Sequence, residues 1–112
     1  MNVKYERQMK KGILEILVLK LLDSEEKYGY QLISELADRS EGMFSVKEGT
    51  LYPILYRLED EGLVVNYWSE PKGRELSKKY YNITEEGRAT LAEAIKLWEK
   101  FSENVNKILL NN

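Results

Sequence analysis

Residues Ser45–Trp68 read SVKEGTLYPILYRLEDEGLVVNYW, and the fold turns on them. Ser45 with Glu48 three residues later predicts a capping box, each side chain satisfying a free backbone N–H at a helix start. Leu51, Leu55 and Leu58 recur at helical spacing and predict one buried face. Glu59-Asp60-Glu61-Gly62 ends the helix, with Gly62 suited to the left-handed conformation beyond it. Leu63–Trp68, β-branched and aromatic, predicts a strand. Pro53 conflicts with a start at Ser45, because in the second turn it lacks a donor and crowds the carbonyl of Gly49. The residues therefore predict either a mild kink at 49–53 or a helix that begins nearer Glu48.

The outward side of this helix carries Lys47, Thr50, Tyr52, Pro53, Tyr56 and Arg57. A merely solvated face is usually rich in Glu and Lys. Two exposed tyrosines, a threonine and an arginine predict a surface that touches a partner. A helix of this kind followed at once by a β-hairpin is a winged helix-turn-helix pattern.

The flanking segments fit that pattern. Tyr28–Arg39 predicts the preceding helix, with Leu32, Ile33 and Leu36 facing inward and Gly42 as its stop. Gly29 near its start costs about 1 kcal/mol against alanine, which predicts close packing on a neighbouring helix. Lys79–Ile83 predicts the second strand of the hairpin, and Ser69–Lys78, with Pro71 and Gly73, the wing between the strands. Lys72, Arg74, Lys78 and Lys79 suit salt-sensitive phosphate contacts. The plainer alternative is a solvated hairpin tip.

Ile13–Asp23 is apolar nearly all round, which predicts cover on most sides and, in so small a chain, cover from a second subunit. Residues 1–12 are basic and predict either a helix or a mobile arm. Thr84 predicts the N-cap of a last helix, Glu85–Leu110. Leu91, Ala94, Trp98, Phe101, Val105 and Ile108 follow at spacings of 3, 4, 3, 4, 3, a heptad seam that predicts a dimer interface. The early turns are expected to pack at home and the later ones across the dimer. Trp98, with Ile95 and Phe101 beside it, is expected either to anchor that interface or to bracket a flat apolar ligand with its own copy.

Composition narrows the chemistry. The chain has 112 residues, which predicts one compact unit with a modest core. It contains neither cysteine nor histidine, which excludes disulfides and Ser-His or Cys-His catalysis and leaves no donor set for a structural zinc. No cofactor, metal site or catalytic residue is expected. A formal net charge of −2 argues against indiscriminate nucleic-acid binding, but residues 1–12 and 62–83 are each net basic and the middle is acidic. The opening residues do not resemble a signal peptide, and Ile13–Leu22 is too short to span a bilayer, so a cytoplasmic protein without a membrane partner is expected.

Four blocks in this order and spacing resemble the PadR family of transcriptional regulators: Lys27-Tyr28-Gly29-Tyr30-Gln31-Leu32, Glu48–Glu59, Glu61-Gly62-Leu63-Val64 and Lys79–Gly87. The resemblance covers about residues 11–110 and is to the short branch, whose members end in one long helix. It implies a mostly α fold with a small β-hairpin (α+β), a winged helix-turn-helix with an N-terminal helix and a C-terminal dimerisation helix. Residues 1–83 would form the DNA-binding domain, with 1–12 as arm and 63–83 as wing, and 84–112 the dimerisation helix. It also implies a homodimeric repressor on a palindromic operator of double-stranded DNA, with Thr50, Tyr52, Pro53 and Tyr56 facing DNA. Some short-branch relatives regulate multidrug export and bind flat aromatic compounds between paired tryptophans. Trp98, fourteen residues after Thr84, matches that place, so a flat aromatic or cationic effector is expected. The run Gly73-Arg74-Glu75-Leu76-Ser77-Lys78-Lys79 departs from the compact basic wing common in the family. Two rival readings remain on the residues alone. One is a winged-helix protein-interaction module without sequence-specific DNA binding, and the other is an enzyme using Glu/Lys pairs, for which no carboxylate cluster speaks.

Overall fold

The computed structural model describes residues 3–111. Its elements run α1 (Val3–Lys10), α2 (Ile13–Ser24), β1 (Lys27–Tyr28), α3 (Gly29–Arg39), α4 (Glu48–Asp60), β2 (Val64–Trp68), β3 (Lys79–Ile83) and α5 (Glu85–Leu109). The strands form one antiparallel sheet in the order β1-β3-β2. This is the mostly helical winged-helix architecture that the sequence predicts, with a third strand added.

α2 lies at the centre, against α3, α4, α5 and β3. Val18, Leu19, Leu21 and Leu22 are buried by those neighbours. The first half of α2 is only half-covered, since Ile13, Ile16 and Leu17 look into an open groove. Gly12, at φ 88, breaks the chain between α1 and α2, and α1 itself buries no residue.

α4 starts at Glu48, after Lys47, so the capping box expected at Ser45 is absent. Ser45 lies two residues before the N-cap position, and its Oγ donates to the Gly42 carbonyl at 2.9 Å within the turn. Pro53 lies inside the helix, and the space beside Gly49 is open, so the carbonyl that the proline crowds carries no side chain to obstruct it. Leu51, Ile54, Leu55 and Leu58 form the buried face. At its end the Leu63 N–H reaches the Leu58 carbonyl at 2.9 Å and the Gly62 N–H reaches Glu59 at 2.9 Å, with Gly62 at φ 76. That pair of bonds is a Schellman motif, which needs a residue free to adopt positive φ. α3 ends similarly, but there Glu41, at φ 54, holds the first left-handed position and Gly42 the next, which corrects the assignment of Gly42 alone as the stop.

β1 corrects the expectation that Tyr28 opens a helix. Lys27 and Tyr28 pair with Tyr81 and Tyr80, making β3 the middle strand. Lys27 is buried, with Nζ 3.3 Å from Glu35, 3.4 Å from Glu25 and 3.2 Å from Ser24 Oγ, so its charge is compensated where it is shielded from water.

One node ties the sheet to α5. The Thr84 N–H donates to the Leu63 carbonyl at 3.0 Å, Thr84 Oγ1 donates to the Gly62 carbonyl at 2.8 Å, and Thr84 Oγ1 accepts from the Gly87 N–H at 2.9 Å. α5 then runs 25 residues, about 37 Å at 1.5 Å per residue. Its Leu91 is buried in the core of its own chain, which removes that residue from the dimer seam expected of it. Most apolar residues beyond Leu91 are exposed, among them Leu97, Trp98, Phe101 and Ile108, and the molecule extends 62 Å in its longest dimension.

Gly87 sits where the first turn of α5 meets Leu63 and the end of β3. A methyl group there would collide with the Leu63 carbonyl oxygen and lie 2.7 Å from Ile83 Cγ1. Gly87→Ala is therefore expected to destabilise the fold by about 2–3 kcal/mol, by overpacking against backbone that cannot yield. Urea unfolding checks this, and a loss under about 0.5 kcal/mol would contradict the close packing.

Candidate nucleic-acid interface

The outer side of α4 follows from the burial of its inner side. With Leu51, Ile54, Leu55 and Leu58 turned to the core, the helical period aims Gly49, Pro53, Tyr56 and Asp60 directly away from it. Thr50 and Arg57 flank this stripe on one side, Tyr52 and Glu59 on the other. Lys47, Thr50, Pro53, Tyr56 and Arg57 are exposed, as expected.

Tyr52 differs from expectation. It is half-buried against the core, and its ring packs on Gly29 so closely that a methyl group at residue 29 would run into the Tyr52 hydroxyl. The close packing predicted for Gly29 is this contact. Tyr52 thus positions α4 on α3, and its ring lies 6.1 Å from that of Tyr56. Arg57 is also tied back, with Nε 2.9 Å from Glu15 on α2, which orients the exposed guanidinium.

The hairpin extends this surface. Cross-strand partners share a face, and the pairs run Val64–Ile83, Asn66–Tyr81 and Trp68–Lys79 on one face, Val65–Asn82 and Tyr67–Tyr80 on the other. The first face packs against α4, where Asn66 donates to Glu59. On it Lys79 sets its ammonium 5.7 Å from the Tyr56 ring and 5.5 Å from that of Tyr81. Lys78 points the other way, 4.6 Å from the Tyr28 ring. Lys72 and Arg74 are exposed on the wing, whose base is closed by Ser69 N–H to Lys78 O at 2.8 Å and Lys78 N–H to Ser69 Oγ at 2.9 Å. The structure thus brings Tyr56 and Lys79 together, with Lys72 and Arg74 further along the hairpin. Among the described residues no group of acidic side chains could hold a metal.

Comparison with known proteins gives this surface a context. The profile of the "Transcriptional regulator PadR-like family" matches residues 18–93. The chain belongs to the PadR family. PadR proteins are transcriptional regulators that act through DNA, and not enzymes. Among relatives, the chain is 31% identical over 99 residues to "Transcriptional regulator Rv3488" of Mycobacterium tuberculosis, covering 88% of each. It is 29% identical over 93 residues to "Negative transcriptional regulator PadR" of Bacillus subtilis, where the match spans 83% of this chain but 50% of that longer protein. A PadR family regulator from Clostridium difficile superposes with a TM-score of 0.78 at 33% identity, covering 88% of this chain and 99% of the other. A PadR-like regulator from Bacillus cereus does so at 0.79 and 35%, covering 94% and 99%.

In this PadR chain a second feature lies away from α4. An apolar groove of about 870 Å³ runs between α1, α2, α5 and the α3–α4 turn, lined by Met9, Ile13, Ile16, Phe44, Ile95 and Trp98. Met43 and Phe44, read from sequence only as turn residues, form part of it. Trp98 is half-exposed, with Phe101 at 6.3 Å between ring centroids, so the space beside Trp98 is open on the groove side. Ala94 and Val105 are half-buried, and Phe101 and Ile108 exposed, on the same helix.

Three tyrosines have raised pKa values. Burial pushes the Tyr81 hydroxyl well above its ordinary 10.0, with the negative charge of Glu59 adding to the effect. Burial also raises Tyr52, helped by Glu48, and the hydrogen bond from Tyr67 to Glu26 raises Tyr67. A raised folded-state pKa contributes stability that is intact below about pH 10 and lost as pH rises beyond it, because the unfolded chain then releases protons that the folded chain retains. Unfolding free energy is expected to fall from about pH 10 upward. Absorbance titration of the eight tyrosines should show a late-titrating subset that vanishes in denaturant. One common titration midpoint for all of them in the folded protein would contradict the burial argument.

Proposed function

We propose that this chain is a homodimeric, sequence-specific repressor of transcription acting on a palindromic operator in the cytoplasm. The observation that carries the reading is a mismatch within one chain: an open apolar groove beside α2, and an apolar stripe on the outer half of α5 that its own chain leaves uncovered. Two copies related by a two-fold axis would each lay the Phe101, Val105 and Ile108 stripe over the other's groove, with Trp98 on the groove wall at the seam between them. Residues 1–83 would then read DNA and 84–112 would pair the copies. The N-terminal turns of α4 would enter the major groove with Thr50 and Pro53 leading, Tyr56 beside them and Lys47 at the edge, while Lys72, Arg74, Lys78 and Lys79 meet phosphates. The two helices would lie about 34 Å apart, one turn of DNA.

A flat aromatic or cationic molecule entering beside Trp98, Ile95 and Phe101 would bind one separation of the two copies better than another, and only such a preference could release the operator. The open space beside Trp98 supports this.

Phe101→Asp with Val105→Asp is expected to yield monomers in sedimentation, since the seam would bury unpaired charge. A tight dimer from that variant would refute the seam. Thr50→Ala with Tyr56→Ala should weaken binding to a duplex selected from a random-sequence pool by at least about tenfold without altering the melting temperature. Tyr52→Ala, in contrast, should lower the melting temperature through its lost contact with Gly29. Unchanged affinity in the first variant would contradict the groove-facing assignment.

A further inference from the structure

Trp68 takes no part in the roles described so far. It ends β2, is 64% exposed, and among the described residues no aromatic ring stacks on it and no group accepts from its indole N–H. The core therefore does not account for it. Its surroundings do point outward in one direction. Trp68 pairs across the hairpin with Lys79, so both side chains leave the same face of the sheet. That face is the one packed on α4, and Lys79 reaches the ring of Tyr56 on the outward stripe of that helix. Tyr56, Lys79 and Trp68 thus form one continuous strip from the recognition helix to the base of the wing. Immediately beyond Trp68 the two hydrogen bonds between Ser69 and Lys78 clamp the strands, so the indole is presented from fixed backbone. Lys72 and Arg74 lie past the clamp, and the whole 62–83 segment is net basic.

We propose that Trp68 is a DNA-contacting residue that joins the recognition helix to the wing, its ring lying on the deoxyribose of one strand and its Nε1–H donating to a phosphate oxygen. The inference rests on the DNA-binding reading above. A flat amphipathic ring with one donor matches the sugar-phosphate backbone, which offers an apolar sugar edge beside acceptor oxygens. The neighbouring cations select that polyanion over a neutral protein surface. A backbone contact carries no base information, so Trp68 would add affinity and fix the angle of the wing, leaving sequence choice to α4.

The test uses the full chain and a duplex that the native protein selects from a random-sequence pool, with an unrelated duplex of equal length beside it. Trp68→Ala is expected to lose about tenfold in affinity for both duplexes, with the same slope of log affinity against log salt, because no charge is removed. Lys79→Ala, in comparison, should flatten that slope by about one unit. The chain has two tryptophans, so Trp98→Phe leaves Trp68 as the single tryptophan, and its fluorescence, excited selectively over the tyrosines, should change on adding duplex. Affinity within twofold of native for Trp68→Ala, or Trp68 emission unmoved by a duplex that is bound, would overturn the proposal. So would a loss confined to the selected duplex, which would make Trp68 a base reader. A lowered melting temperature with unmoved emission would assign it a structural role and overturn it as well. If the native protein selects and binds no duplex at all, the DNA-binding reading itself falls, an outcome distinct from all of these.

Discussion

Thr84 is where the parts of this molecule are held to one another. Its backbone N–H and hydroxyl satisfy the carbonyls of Leu63 and Gly62, which follow α4, and the hydroxyl also accepts the free N–H of Gly87 in the first turn of α5. Three polar groups that would otherwise be orphaned around the end of α4 and the start of α5 are settled by one residue, two by its hydroxyl and one by its backbone N–H. Gly87 lets the helix come close enough for this, its missing side chain making room for the Leu63 carbonyl. The end of α4 and the start of α5 thus share a joint of a few residues. A change in how α5 is seated would bear directly on the end of α4 through these bonds.

The two functional surfaces are joined a second time on the other side. Arg57 on α4 is bonded to Glu15 on α2, and the neighbouring Ile13, Ile16 and Leu17 line the groove. An exposed ion pair of this kind contributes little stability, about 0–1 kcal/mol. Its effect is geometric, since it holds the flank of α4 to the helix that any occupant of the groove would press on.

Much of this was legible in the sequence, and what escaped did so for identifiable reasons. The α4–hairpin unit, the Gly62 stop and the Thr84 cap are legible because each carries a local signal: leucines at helical spacing, a glycine just past them, β-branched and aromatic runs, and a threonine before two glutamates. β1 was not, because two residues carry no periodicity, and Tyr28 looked like the start of the helix that begins one residue later. Ser45 has the spacing to Glu48 that a cap needs, but the chain enters the helix two residues later, at Lys47, and leaves Ser45 in the preceding turn. Leu91 fitted the heptad seam, yet a spacing pattern records only that a side is apolar, not which chain covers it. Tyr52 falls on the outward side in the sequence pattern because a polar-tipped aromatic looks the same there whether it faces water or a glycine. The Glu15–Arg57 pair joins residues 42 positions apart and left no local trace.

The contact between Gly29 and Tyr52 has a consequence for how such a sequence can drift. The tyrosine ring fills the volume that any larger residue at 29 would claim, with Tyr52 Cζ already 3.0 Å from where a Cβ would stand. The two positions are therefore not independent sites but two halves of one volume. A lineage that enlarged residue 29 would have to shrink residue 52 first, passing through an intermediate with a void between α3 and α4. Neutral change at either position is closed off by the other, and the pair would persist through divergence that freely rewrites the exposed residues around it.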